Sequence, residues 1–95
     1  MQPWEENLIE TLEISGVDEL LTETHDLVVF NDDVNTFDFV IQTLIEVCHH
    51  TPEQAEQCTW IIHYKGKCSV KKGSFEQLRP MRDAITERGI GAAIV

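Results

Sequence analysis

Apolar positions along this chain recur with two periods, and the changes between them divide most of it into six elements. Residues 25–30, His-Asp-Leu-Val-Val-Phe, form a short β-branched run that ends at Asn31-Asp32-Asp33, the pattern of a buried strand entering a polar turn. Phe37, Val40, Ile41, Leu44, Ile45 and Cys48 then fall on one face of a helix. Asn35 is placed to cap that helix, with Asp38 at its third position to return the bond. Thr51-Pro52-Glu53-Gln54 opens a second helix with an N-cap, a first-turn proline and a capping-box glutamine. Ala55, Cys58, Thr59 and Ile62 share its inner face, and Gly66 is its stop.

The period returns to two at Lys67-Cys68-Ser69-Val70-Lys71, a half-buried strand, and Gly73-Ser74 turns the chain. Ser74-Phe75-Glu76-Gln77 is a further capping box, and Phe75, Leu78, Arg82 and Ile85 keep helical spacing until Gly89. Pro80 interrupts that pattern, so the helix is expected to kink there or to begin after Ser74. Ala92-Ala93-Ile94-Val95 supplies a last strand, which gives the order strand, helix, helix, strand, helix, strand.

Residues 1–25 contain seven acidic side chains and few apolar clusters, and read as a flexible acidic extension. Leu8, Leu12 and Ile14 can line a short helical stripe, but Ser15-Gly16 stops it. Residues 26–95 are then one small domain, near the lower limit for a single core without staples. The chain has 95 residues, which excludes a two-domain enzyme, and no apolar run approaches the roughly 20 residues of a spanning helix. The start, MQPWEENLIE, lacks the basic residues and apolar stretch of a signal peptide, so a cytoplasmic location is expected. Cys48, Cys58 and Cys68 are too few for a disulfide scaffold and read as reduced thiols.

Charge changes the picture through its distribution. Residues 1–64 hold 14 acidic side chains and no Lys or Arg, whereas residues 65–95 hold 7 basic and 3 acidic, so the two parts carry −14 and +4. A net charge of −10 disfavours nucleic acid, whose phosphates are bound through Lys and Arg. The first part suits a cationic ligand and the second an acidic partner, although solvated surface charge produces the same imbalance.

The turn Asn31-Asp32-Asp33 is the first candidate for chemistry. Ionised carboxylates only accept hydrogen bonds and an ammonium offers three donors, so an Asn and an Asp can share one –NH3+ group; the plain alternative is a polar turn. His63 lies late on the second helix among apolar neighbours, where a lone histidine is commonly structural. A short connection makes the two helices antiparallel, which carries His63 toward Asn31 and Asp33 across a gap lined by Phe37, Thr59 and Ile62. Cys48, His49, His50, Cys58, His63 and Cys68 are all zinc-ligand types, but no C-x2-C or H-x3-H unit pairs them. No nucleophile elbow, phosphate loop or dinucleotide fingerprint is present, so neither a cofactor nor catalysis is expected.

Three spaced blocks carry a resemblance: Val29-Phe30-Asn31-Asp32-Asp33, Asn35-Thr36-Phe37-Asp38-Phe39-Val40, and His63-Tyr64-Lys65-Gly66-Lys67. Together they resemble the ClpS family, adaptors that deliver N-end-rule substrates to the bacterial Clp protease, over residues 27–95. The resemblance implies an α+β fold, a three-stranded antiparallel sheet against three helices similar to the C-terminal domain of the ribosomal stalk protein, preceded by an extension that engages the ATPase pore. It implies that Asn31, Asp33 and His63 bind a substrate's free α-amine, that Asp32 helps to hold the first peptide unit, and that an acetylated terminus is refused. A first side chain of Phe, Leu, Trp or Tyr is implied to enter a pocket of Asn35, Phe37, Thr59, Ile62 and Ile90. Asn35 stands where threonine is usual, and Phe37 and Thr59 stand where methionines are. Thr59 shortens one wall and adds a hydroxyl, so a roomier or more polar pocket is expected, favouring larger or hydroxylated first residues. Glu76 matches an acidic position that docks the N-terminal domain of the Clp AAA+ ATPase, while Pro80 and Met81 depart from the pattern there. The alternative is a module of this fold with altered ligand specificity that mainly regulates the ATPase.

Overall fold

A computed structural model describes residues 24–95. Strand β1 (His25–Phe30) is followed by helices α1 (Phe37–Cys48) and α2 (Pro52–Lys65), strand β2 (Lys67–Gly73), helix α3 (Phe75–Glu87) and strand β3 (Ala92–Ile94). The sheet is antiparallel, in the order β2-β1-β3. The fold is therefore the α+β arrangement expected, three strands with three helices.

Alternation along β1 turns Leu27 and Val29, both fully buried, into one cluster with Val40 and Leu44 of α1, Ile62 of α2 and Leu78 and Ile85 of α3. A register shift between Leu27 and Val28 interrupts the pairing with β2. Cys48 is fully buried in this core, and burial pushes its thiol up to about 11; Cys68 is also pushed up to about 11 by burial.

Local chemistry sets the helix ends. Thr51 and Ser74 each accept from the third backbone N–H, and Gln54 and Gln77 return the bond, so both capping boxes form as read. The first helix corrects the expectation. Its N-cap is Thr36, whose hydroxyl accepts from Phe39 N–H at 3.0 Å, not Asn35. Asp38 is then at the second helical position and closes no box, though its carboxylate still lies at the positive end of the helix. Asn35 is recruited elsewhere: its amide donates to Asp32 Oδ2 at 2.8 Å and to the Gly89 carbonyl at 2.9 Å. Helix α3 begins directly after Ser74 and runs through Pro80, so the later start does not occur.

Two tertiary ties fasten the helical layer, one to the sheet and one between helices. The carbonyl of Val70 can only accept, so His50 donates to it from Nε2 at 2.7 Å and fastens the α1–α2 connection to β2. Arg88, after α3, reaches Glu46 of α1 at 2.8 Å.

Candidate functional site

The end of β1 and the end of α2 meet because β2 follows α2 after a single residue. Gly66 takes the left-handed conformation (φ 92°) that lets α2 stop and the chain reverse, and its N–H returns to the Ile62 carbonyl at 2.9 Å. Phe30 then pairs with Lys67, and Asn31 N–H donates to the Gly66 carbonyl at 2.9 Å. This zipper fixes the turn after β1 beside the last turn of α2. The antiparallel α1–α2 hairpin adds the start of α1 on the remaining side, with the Phe37 and Trp60 rings 4.6 Å apart.

Between these elements lies a cavity of about 320 Å³. Asn31, Asp32, Asp33 and Asn35 line one side of it, and His63 lies at its α2 side. Phe37, Val40, Thr59 and Ile62 supply the apolar walls. The structure thus brings together all the residues expected at an amine site and four of the five expected around a first side chain. Ile90 is the exception: it is buried in the core cluster and is not part of the cavity lining. Val40, read from sequence only as a core position, is part of the wall.

Asp32 is engaged by its own loop. Its Oδ1 accepts from the N–H groups of Val34 and Asn35, each at 2.8 Å, while Oδ2 accepts from the Asn35 amide. Those bonds, the backbone bond from Asn35 first, hold its carboxyl below the usual carboxylate range. Asp33 and Asn31 are exposed beside it and line the cavity from a loop stiffened by Asp32. Thr59 also differs from expectation. Its hydroxyl donates to the Ala55 carbonyl at 2.7 Å, one turn back on α2, so its hydrogen is taken by the helix and the wall is shortened rather than made a donor. Glu76 is far along the chain from this cavity and lines, with Arg79, Pro80 and Asp83, a separate concavity on α3.

Sequence reasoning missed Trp60. Its ring stacks on Tyr64 (centroids 5.3 Å, planes 14° apart) and meets His63 edge-on at 6.2 Å. The available signal was its place one turn before His63 and Tyr64, which also fits a core stripe.

The fold and the cavity define a small α+β domain with a pocket that is acidic and amidic at one side and apolar within. The family model described as ATP-dependent Clp protease adaptor protein ClpS matches residues 21–91, and the chain belongs to that family. A curated ClpS adapter of Campylobacter jejuni (strain 81-176) is 37% identical over 57 residues, 60% of this chain and 57% of that protein. One from Acetivibrio thermocellus is 36% identical over 53 residues, 56% of this chain and 54% of that protein. The matches span a little over half the length of these curated relatives. Among solved structures, Agrobacterium tumefaciens ClpS2 bound to L-phenylalaninamide superposes with a TM-score of 0.68 at 16% identity, covering 78% of this chain and 96% of that one. No helix among the described residues is long and apolar enough to cross a membrane.

Proposed function

We propose that the chain is a non-enzymatic adaptor of a cytoplasmic Clp protease that binds the free α-amine and bulky apolar first side chain of N-degron substrates, and delivers them to the N-terminal domain of a Clp AAA+ ATPase. The observation that carries this reading is the cavity itself, in which Asn31, Asp33 and His63 meet over walls of Phe37, Val40, Thr59 and Ile62. An α-ammonium is a compact three-donor cation, and acceptors at one side of a pocket with apolar walls fit an amino acid whose charge and side chain diverge from one carbon. The ligand of the Agrobacterium structure, an amino acid amide with a free amine and a benzyl group, has the same two features. In this reading Asn31 and Asp33 accept from the amine, and His63 faces it from α2. Asp32 acts by holding the loop, and Phe, Leu, Trp or Tyr fills the cavity. Glu76 and its neighbours on α3 form the ATPase face.

Fluorescence anisotropy with a labelled peptide beginning with Phe, and with the same peptide acetylated, tests the site. The free-amine peptide is expected to bind and the acetylated one to lose at least about a hundredfold, because an unpaired carboxylate then faces a neutral amide. Binding should also weaken above roughly pH 8, where an α-amine loses its proton. Equal affinities for the two peptides overturn the reading. A Glu76→Arg variant should keep peptide affinity and lose the ATPase N-terminal domain in a pull-down.

A further inference from the structure

The aromatic surface of α2 begins inside the cavity and continues outside it. Phe37 and His63 line the cavity, Trp60 packs against both of them, and Tyr64 lies parallel to Trp60 one helical turn further on. Trp60 is 42% exposed and Tyr64 75%, whereas the core side of α2 is provided by Ala55, Thr59 and Ile62. Packing of the domain therefore asks nothing of Tyr64 and little of the outer face of Trp60. Two large exposed rings stacked on each other, packed against Phe37 and His63 of a cavity lining, are a preformed contact surface.

We propose that the Trp60–Tyr64 shelf receives the side chain of a substrate's second residue and favours flat side chains, aromatic rings or the guanidinium of arginine. The proposal rests on the reading of the cavity as the site of the first residue. Successive side chains of an extended peptide point to opposite sides, so with the first directed into the cavity the second is directed away from it, onto the rim. One residue advances the backbone by roughly 3.4 Å, and Trp60 packs directly on Phe37 and His63 of the cavity lining, so a long second side chain extends toward its ring. Offset stacking on the indole and phenol faces favours another flat group. A guanidinium gains in addition from the ring faces and from Glu56, exposed one turn before Trp60 on the same stripe of α2. Small or β-branched second residues present no flat face and gain little.

The test is a set of free-amine peptides that differ only at the second residue, Phe-Trp, Phe-Arg, Phe-Ala and Phe-Val, measured against the wild-type chain and the Tyr64→Ala and Trp60→Leu variants. Phe-Trp and Phe-Arg are expected to bind about fivefold more tightly than Phe-Ala to the wild type, the scale of one stacking contact. That ratio should fall below about twofold in both variants. Leucine at 60 keeps an apolar contact for Phe37, and circular dichroism checks that each variant is folded. A second readout needs no variant: the indole N–H resonance of Trp60 should move further with Phe-Arg than with Phe-Ala. Equal wild-type affinities, or a preference that survives both substitutions, overturns the shelf. If those affinities are equal while acetylation still abolishes binding, the cavity reading stands without it. If acetylation has no effect, the cavity reading falls and the shelf with it.

Discussion

Asp32 and Thr59 both have their polar atoms taken up by neighbouring groups, and this fixes what each contributes. Asp32 → Asn would place an amide donor where Oδ2 now accepts from Asn35, leaving one donor facing another. The variant is expected to be less stable by about 1–2 kcal/mol at pH 7, as measured by urea unfolding. The folded carboxyl titrates below its ordinary value, so this stabilisation is fully present above the unfolded carboxylate range, near pH 4, and is lost as pH falls through the lower folded value. The wild type and variant should therefore differ at pH 7 and 5 and converge toward pH 3. Thr59 → Met bears on size, since the hydroxyl already serves Ala55. Filling that wall should lower the affinity of Trp-first relative to Leu-first peptides by about fivefold, on the order of 1 kcal/mol. An unchanged ranking would show that Thr59 does not set the shape of the cavity.

Helix ends and interruptions show where local signals decide and where distant contacts do. His49 closes α1 in the left-handed conformation at φ 60°, a geometry that glycine adopts without steric penalty. His49→Gly is expected to raise stability by about 0.5–1 kcal/mol, seen as a higher urea midpoint with an unchanged slope. The two capping boxes were legible because each lies within four residues and needs no partner from elsewhere. The Asn35–Thr36 choice was not. Both are good caps, and what separates them is the Gly89 carbonyl, 54 residues away, together with Asp32, which claim the Asn35 amide. Pro80 was legible as a misfit, yet the helix persists, since the missing N–H removes only the bond to the Glu76 carbonyl near the start of α3. The candidate site was legible in the same measure. Helix antiparallelism brings His63 back toward the first turn, but the Asn31–Gly66 bond that sets their approach belongs to sheet pairing, which no local period encodes. Ile90 fits the core as well as a pocket by its chemistry, and only the packed structure separates the two.

Charge acts at the scale of the whole molecule. Among the described residues, 24–64 carry seven acidic side chains and no Lys or Arg, while all seven cations of the chain follow. Two cross-links compensate part of this: Lys72 pairs with Asp26 at 2.7 Å and Arg88 with Glu46 at 2.8 Å. Both lie away from the cavity lining, where Asp32 and Asp33 stand together. A peptide amine approaching the cavity therefore meets an attractive field before any contact, and such fields act mainly on the encounter rate. The association rate of a Phe-first peptide, followed by stopped-flow anisotropy, is expected to fall several-fold as ionic strength rises from about 0.01 to about 1 M, as the screening length shortens from about 30 to about 3 Å. Dissociation should change by less than about twofold over the same range, because short contacts are screened far less. Asp33→Asn should slow association at low salt and flatten the salt dependence, separating the field at the cavity from the charge of the chain as a whole. A rate indifferent to salt in the wild type would mean that capture begins only at contact, with the amine recognised by geometry alone.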